Sequence, residues 1–381
     1  MRKCILLIIL FLLNFIPFNV FASELVPNGE SSILIEATTG KIIFEKNIDK
    51  KLSIASMTKM VAQIIILEEV ENNKIKWDDV VTVSRNASGM GGSQIYLEEG
   101  EKMTVRDLMK GISVASANDA TVALAEYISG TEEKFVKRMN DKVKELGLKN
   151  TNFVTSTGLD ADNHYSSAYD MAMIAKELVK HDRILKYSGT YEDYLRKNTD
   201  NSFWLVNTNK LVRYYSGVDG LKTGFTDNAM YCLTATALKD NMRLITVVMG
   251  EPDSATRSAE TSSMLDYGFN TYQIDTLVSS NTVLSKVKVS LGDAEEVEVI
   301  SKEDINILNN KVGTKRNVSY KVILDDVKAP VNVGDKIGVI DVYEDDNLIM
   351  SIDATVLESV QKANIFTVYL RNLFDVIRGI I

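Results

Sequence analysis

The chain has 381 residues, 45% of them apolar and 25% charged, enough for two ordinary domains with real cores, which excludes disorder as the default. A net charge of −9 excludes a broad nucleic-acid footprint. Two histidines, His164 and His181, and two cysteines are too few for a His-rich or Cys-rich zinc site, so catalysis is expected to need neither metal nor cofactor.

Residues 1–22, MRKCILLIILFLLNFIPFNVFA, place Arg2 and Lys3 ahead of a short apolar run ending at Val20-Phe21-Ala22. This is the pattern of a secretory signal peptide cut after Ala22, and Asn14, Pro17 and Asn19 weigh against an uncleaved anchor. Export follows either way. Cleavage moves the net charge from −9 to −11 and removes Cys4, leaving Cys232 without an internal disulfide partner.

Residues 23–272 read as one α/β domain. SSILIEATTGKIIFEK, residues 31–46, alternates as a hairpin around Thr39-Gly40, and a long helix follows from about Ser56 through IIILEEV. Thr104 opens a candidate capping box, T-V-R-D, ahead of the helix DLMKGISVA, and ATVALAEYI is the next helix. GLKTGF, YCLTATAL and RLITVVMG are strands, and SAETSSMLDYGF closes the domain as a helix. Residues 273–360 switch to short alternating segments, VKVSL, EVEVI, VSYKVIL, KIGVIDVY and SIDATVL, a small all-β domain.

Residues 361–381 return to helical spacing, with Ile365, Phe366, Tyr369, Leu370, Leu373, Phe374, Ile377, Ile380 and Ile381 on one side. Asn364, Thr367, Arg371, Asp375 and Arg378 fall on the other. The charges interrupt the run of about 20 apolar residues that a span requires, so the segment reads as an amphipathic anchor lying in a membrane surface. The competing reading is a helix packed on the β domain.

Three motifs carry the chemistry: Ser56-Met57-Thr58-Lys59, Ser116-Ala117-Asn118 and Lys222-Thr223-Gly224. Each alone is weak, since Ser-x-x-Lys also occurs at Ser285 and Ser359, and Ser-x-Asn at Ser84 and Ser279. Their order and contexts lift them. Ser56 and Lys59 share one helix face, so the amine can reach the hydroxyl, and the helix N-terminus favours an alkoxide. Alone, the pair reads better as a capping serine beside a solvated lysine. Ser116 and Asn118 converge on a cleft only from a loop, and either could instead cap the next helix. Lys222, Thr223 and Gly224 fall on an apolar strand that could be a sheet edge able to pair with an extended peptide, where the lysine and threonine can bind the peptide's carboxylate and the glycine lets backbone approach closely; the alternative is a turn-flanking Lys-Thr-Gly with no role.

The chain resembles the serine-type D-alanyl-D-alanine carboxypeptidases, the low-molecular-mass penicillin-binding protein family. GGSQIYLEEGEKMTVRDLMKGISVASANDA, STGLDADNHYSSAYDMAMIA and DGLKTGFTDNAMYCLTATA all look like family segments, and the likeness covers essentially the whole mature chain. The resemblance implies a penicillin-binding/β-lactamase-like α/β catalytic domain, a smaller C-terminal all-β domain and a terminal amphipathic helix. It implies that Ser56 is acylated, that Lys59 takes its proton, and that Ser116 with Lys222 relays a proton to the departing D-alanine. Asn118 would bind the peptide amide, Thr223 and Gly224 would belong to the substrate-binding strand, and the N–H groups of Ser56 and Phe225 would form the oxyanion hole. Arg257 resembles a family arginine near the carboxylate site, with a surface salt bridge as its alternative. Met230 stands where such proteins often have glycine, which puts the local turn in doubt.

The implied partners are a peptidoglycan stem peptide ending in D-Ala-D-Ala, β-lactams as covalent inhibitors, and a membrane surface. His164 reads as structural, because no G-x-S-x-G elbow accompanies it, and Gly89–Ser93 reads as a flexible loop near the cleft rather than a phosphate loop. A class A β-lactamase is the nearest rival, but it needs a deacylating glutamate, and none occurs between Asn150 and Tyr169. A non-catalytic penicillin sensor or cell-wall scaffold is the rival from another class.

Overall fold

The computed structural model describes residues 25–313 and 316–377, so the signal-peptide expectation for residues 1–22 lies outside the described residues. The described residues separate into two compact units, the first running up to Lys239 and over Arg243–Gly268, the second made of Asp240–Met242 and the residues from Phe269 onward.

The first unit is built on a five-stranded sheet. β1 (Ser31–Glu36) and β2 (Ile42–Lys46) form the expected hairpin, with Gly40 left-handed at φ 71° in its turn. β3 (Val218–Thr226), β4 (Met230–Lys239) and β5 (Met242–Glu251) complete it in the order β2-β1-β5-β4-β3. β3 is therefore an edge strand, paired with β4 on one side only. β1 reads as six buried residues in a row, as expected for an interior strand covered on both faces.

Helices supply the rest: α1 (Lys59–Glu71), α2 (Val105–Ala115), α3 (Asn118–Ser129), α4 (Glu132–Glu145), α5 (Ala168–Leu178) and α6 (Ser254–Thr271). α1 is buried over nearly its whole length, from Lys59 through Leu67, which marks it as the central core helix. The helix expected from about Ser56 begins instead with a 3-10 turn, Ala55–Thr58, and becomes α-helical at Lys59. Thr104 caps α2, its hydroxyl accepting from the Asp107 N–H at 3.1 Å. Asp107 is shorter than the glutamate of a full capping box, and its carboxylate instead accepts from the Thr104 hydroxyl at 2.9 Å. The sequence reading missed a hairpin of Glu192–Leu195 with Phe203–Val206.

Among its described residues the second unit is all-β apart from its last helix. β6 (Tyr272–Val278) pairs with β9 (Ile305–Asn310), while β7 (Ser285–Ser290), β8 (Glu296–Ser301), β10 (Val318–Leu324), β11 (Gly338–Glu344) and β12 (Asn347–Val356) share a sheet ordered β10-β11-β12-β8-β7, closed at its edge by Val327–Lys328. Its own core includes Val299, Ile305, Ile340, Val342, Ala354 and Val356. α7 (Ile365–Ile377) ends the described chain. Arg371 pairs with Glu295 at 2.8 Å and donates to the Gly292 carbonyl at 2.9 Å, while Ile365, Phe366, Tyr369 and Leu370 are 50–81% exposed. The later tail positions named from sequence, from Leu373 onward, lie outside the described side chains or residues. No helix among the described residues is long and apolar enough to cross a membrane.

Candidate active site

Ser56 lies in the 3-10 turn that leads into α1, and Lys59 is the first residue of that helix. In a 3-10 turn residues three apart nearly eclipse, which brings Lys59 Nζ to 2.8 Å from Ser56 Oγ. Ala55, immediately before the serine, is left-handed at φ 46°, a strained conformation for a residue with a Cβ. Lys59 also donates to the Thr157 carbonyl at 2.6 Å. The adjoining Gly158 has φ +83°, and a Cβ there would stand 1.9 Å from the Ala55 carbonyl oxygen. Glycine is thus required where the 155–159 segment packs against the nucleophile turn.

Lys59 is fully buried, and burial drives its pKa well below the ordinary lysine value of 10.5, with the charge on Lys222 lowering it further and Asp119 opposing. The result favours a neutral amine with a lone pair facing a serine hydroxyl, the arrangement of a general base.

Ser116 ends α2 in the left-handed conformation, φ 63°, and is 3% exposed. Asn118 is the first residue of α3, so the expected loop shrinks to Ser116 and Ala117. The Asn118 N–H donates to the Ser93 carbonyl and its Nδ2 to the Gly91 carbonyl, both at 2.7 Å. Asp119 accepts from the N–H groups of Ile95 and Leu97. The Gly89–Ser93 segment, expected to be a flexible loop, is thereby tied to α3. Asn118 Oδ1 is buried without a partner.

On edge strand β3, Lys222 is 1% exposed and donates to the Thr223 carbonyl at 3.0 Å. Burial, then the neighbouring Arg257 charge, lowers its pKa to about 7. Thr223 Oγ1 bonds Thr208 Oγ1 at 2.7 Å. A Cβ on Gly224 would meet the Ile54 carbonyl at 2.6 Å, so one backbone that this glycine admits is the chain's own nucleophile turn. Phe225 is half exposed beside Tyr231. Met230 adopts φ 56°, the left-handed position that glycine fills most easily, and the turn persists with the Ala229 N–H bonded to Thr226 Oγ1.

A cleft of about 300 Å³ gathers Ser56, Ser93, Ser116, Thr208, Lys210, Thr223, Gly224, Phe225, Tyr231, Ser254, Arg257 and Ser258. Lys59 and Lys222 lie behind it as buried groups. Arg257 is 6% exposed, with Nε buried and unpartnered, so it is no surface salt-bridge residue. Sequence reading missed Thr157, Asp119, Thr208 and Lys210, which belong to none of the three motifs. His164 is held away from Ser56: its Nε2 lies 2.7 Å from Thr58 Oγ1 and its Nδ1 accepts from the Val154 N–H. Burial lowers its pKa to about 4, which keeps it neutral and structural.

The sequence matches the D-alanyl-D-alanine carboxypeptidase family over residues 21–253, and the family "Penicillin-binding protein 5, C-terminal domain" over residues 272–362. It is 47% identical to D-alanyl-D-alanine carboxypeptidase DacF of Bacillus subtilis (strain 168), over 97% of each chain. Its fold is similar to that of penicillin binding protein 5 from Haemophilus influenzae, with a TM-score of 0.71 and 33% identity over 88% of this chain and 98% of that one. It is also similar to Penicillin-Binding Protein D2 from Listeria monocytogenes in the ampicillin-bound form, with a TM-score of 0.58 and 30% identity over 66% of this chain and 99% of that one. With a cleft-lining serine bonded to a buried lysine, an edge strand bearing Lys-Thr-Gly, and a match over more than half its length, the chain belongs to the D-alanyl-D-alanine carboxypeptidase family of serine-type hydrolases.

Proposed function

We propose that the chain removes the terminal D-alanine from peptidoglycan stem peptides through an acyl-enzyme on Ser56. The observation that carries this reading is the buried Lys59 amine 2.8 Å from Ser56 Oγ at the floor of a cleft bounded by an edge strand. The peptide lies along β3 as an added strand, its terminal carboxylate toward Thr223 and Arg257. Neutral Lys59 takes the Ser56 proton as Oγ attacks the carbonyl carbon of the penultimate D-alanine. The N–H groups of Ser56 and Phe225 receive the developing oxyanion, each such donor worth about 10²- to 10³-fold. Ser116 and Lys222 pass a proton to the leaving nitrogen, the C–N bond breaks, and free D-alanine departs. Water then releases the shortened peptide. Asn118 holds the peptide amide.

β-lactams follow the same attack, but their leaving nitrogen stays tethered to the acyl group. With no glutamate between Asn150 and Tyr169, deacylation of penicillin is slow, which separates this reading from the β-lactamase alternative. The protein works outside the cytoplasm after signal-peptide removal, attached peripherally by its C-terminal helix. The exposed Ile365, Phe366, Tyr369 and Leu370 support that attachment, with Arg371 turned to Glu295 and Gly292.

Mass spectrometry of muropeptides before and after incubation with the purified protein tests the reading. Loss of one D-alanine from pentapeptide stems is expected. Cleavage confined to cross-links, or no cleavage, contradicts it.

A further inference from the structure

The cleft carries a cation that no step of the proposed reaction uses. Lys210 lines it together with Arg257, Thr208, Thr223, Ser254 and Ser258. Its backbone is fixed: Thr208 bonds Thr223 and the Val114 carbonyl, the Asn209 side chain donates to the Gly220 carbonyl at 3.1 Å, and Asn209 Oδ1 accepts from the Leu211 N–H at 3.1 Å. The Lys210 side chain is exposed, and none of the described ion pairs involves it. Arg257 lies buried in the same cleft with its Nε unpartnered. An exposed lysine on a fixed backbone and a buried guanidinium line one cleft of about 300 Å³, which suits an anion small enough to meet both. A carboxylate accepts at two oxygens and can engage both cations at once.

We infer that Lys210 is a second carboxylate-binding group, meeting the substrate's free C-terminus at the cleft mouth while Arg257 holds it from within. The inference rests on the carboxypeptidase reading and adds to it the residue that selects a free carboxylate over a blocked end. An exposed cation at a cleft mouth acts mainly on encounter and on binding, and its contribution is screened by salt.

The test compares Lys210→Ala and Lys210→Arg with the wild type on two peptides, one ending in D-Ala-D-Ala and the other in its C-terminal amide, with release followed by mass spectrometry. Lys210→Ala is expected to lower kcat/KM for the acid roughly three- to ten-fold and for the amide less than about two-fold. It should also flatten the fall of the acid's kcat/KM with added salt, and Lys210→Arg should restore most of the loss. Equal losses on both peptides, or an unchanged salt dependence in Lys210→Ala, overturn the assignment while leaving carboxypeptidase activity intact. A wild-type protein that cleaves neither peptide removes the carboxypeptidase reading, and this inference with it.

Discussion

Replacing Lys59 by arginine separates the two things the lysine provides, a hydrogen-bonding cation and a removable proton. At the ordinary value of 10.5, a lysine amine at pH 7 is neutral in about one molecule in 3,000. Burial drives that value well down, so more neutral base faces Ser56 than a solvated lysine would offer, and a positioned general base is typically worth about 10²- to 10⁴-fold. Arginine keeps donors for Ser56 and for the Thr157 carbonyl but cannot deprotonate in a protein. Lys59→Arg and Lys59→Ala are therefore both expected to acylate roughly 10²- to 10⁴-fold more slowly. Stopped-flow acylation by a fluorescent penicillin measures the rate, and circular dichroism checks the fold. An arginine variant acylating within about ten-fold of wild type would refute the base assignment.

Gly158→Ala places a Cβ 1.9 Å from the Ala55 carbonyl in a left-handed backbone, so it should both destabilise the protein by several degrees in Tm and slow acylation, whereas Gly130→Ala, left-handed with open space around it, should leave acylation unchanged. Glu251 is buried beside Glu260, and burial first, then that neighbour, raises its pKa from 4.5 to about 8. Its contribution to stability is present below pH 4.5 and is lost as pH rises toward 8, because the folded state holds the extra proton. Glu251→Gln should flatten the Tm-versus-pH curve across that window and raise Tm at pH 8 by a few degrees; an unchanged slope contradicts the burial argument. Deleting residues 362–381 should release the mature protein from vesicles while sparing hydrolysis of a soluble D-Ala-D-Ala peptide, and continued co-sedimentation would replace the anchor with the packed-helix reading.

Alternation and order made much of this site legible. The strand holding Lys222 to Gly224 reads as one that could be a sheet edge and lies at one, and the spacing of Ser56 and Lys59 brought amine and hydroxyl together. What sequence could not supply were backbone partners from distant segments. The Thr157 carbonyl that holds Lys59 lies 98 residues away, and a carbonyl carries no residue-type signal. Gly224 reads as letting backbone approach closely, but its residue type does not tell that the backbone in tight contact is the Ile54 carbonyl of the nucleophile turn. β9, INILNN, escaped notice because its polar end hides the alternation that marks the neighbouring strands, and the Phe203–Val206 strand is cut off from its partner by the polar RKNTDNS segment. Asp119 sits beside a motif but acts on Ile95 and Leu97, contacts that only folding brings together.

The most direct test of Ser56 as the acylated nucleophile is intact-protein and peptide mass spectrometry after brief exposure to benzylpenicillin, on wild type and Ser56→Ala. A single adduct mapping to the peptide that contains Ser56, absent from the variant and persisting while a D-Ala-D-Ala peptide turns over freely in untreated enzyme, is the predicted result. An adduct on another residue, or one retained in Ser56→Ala, would contradict it.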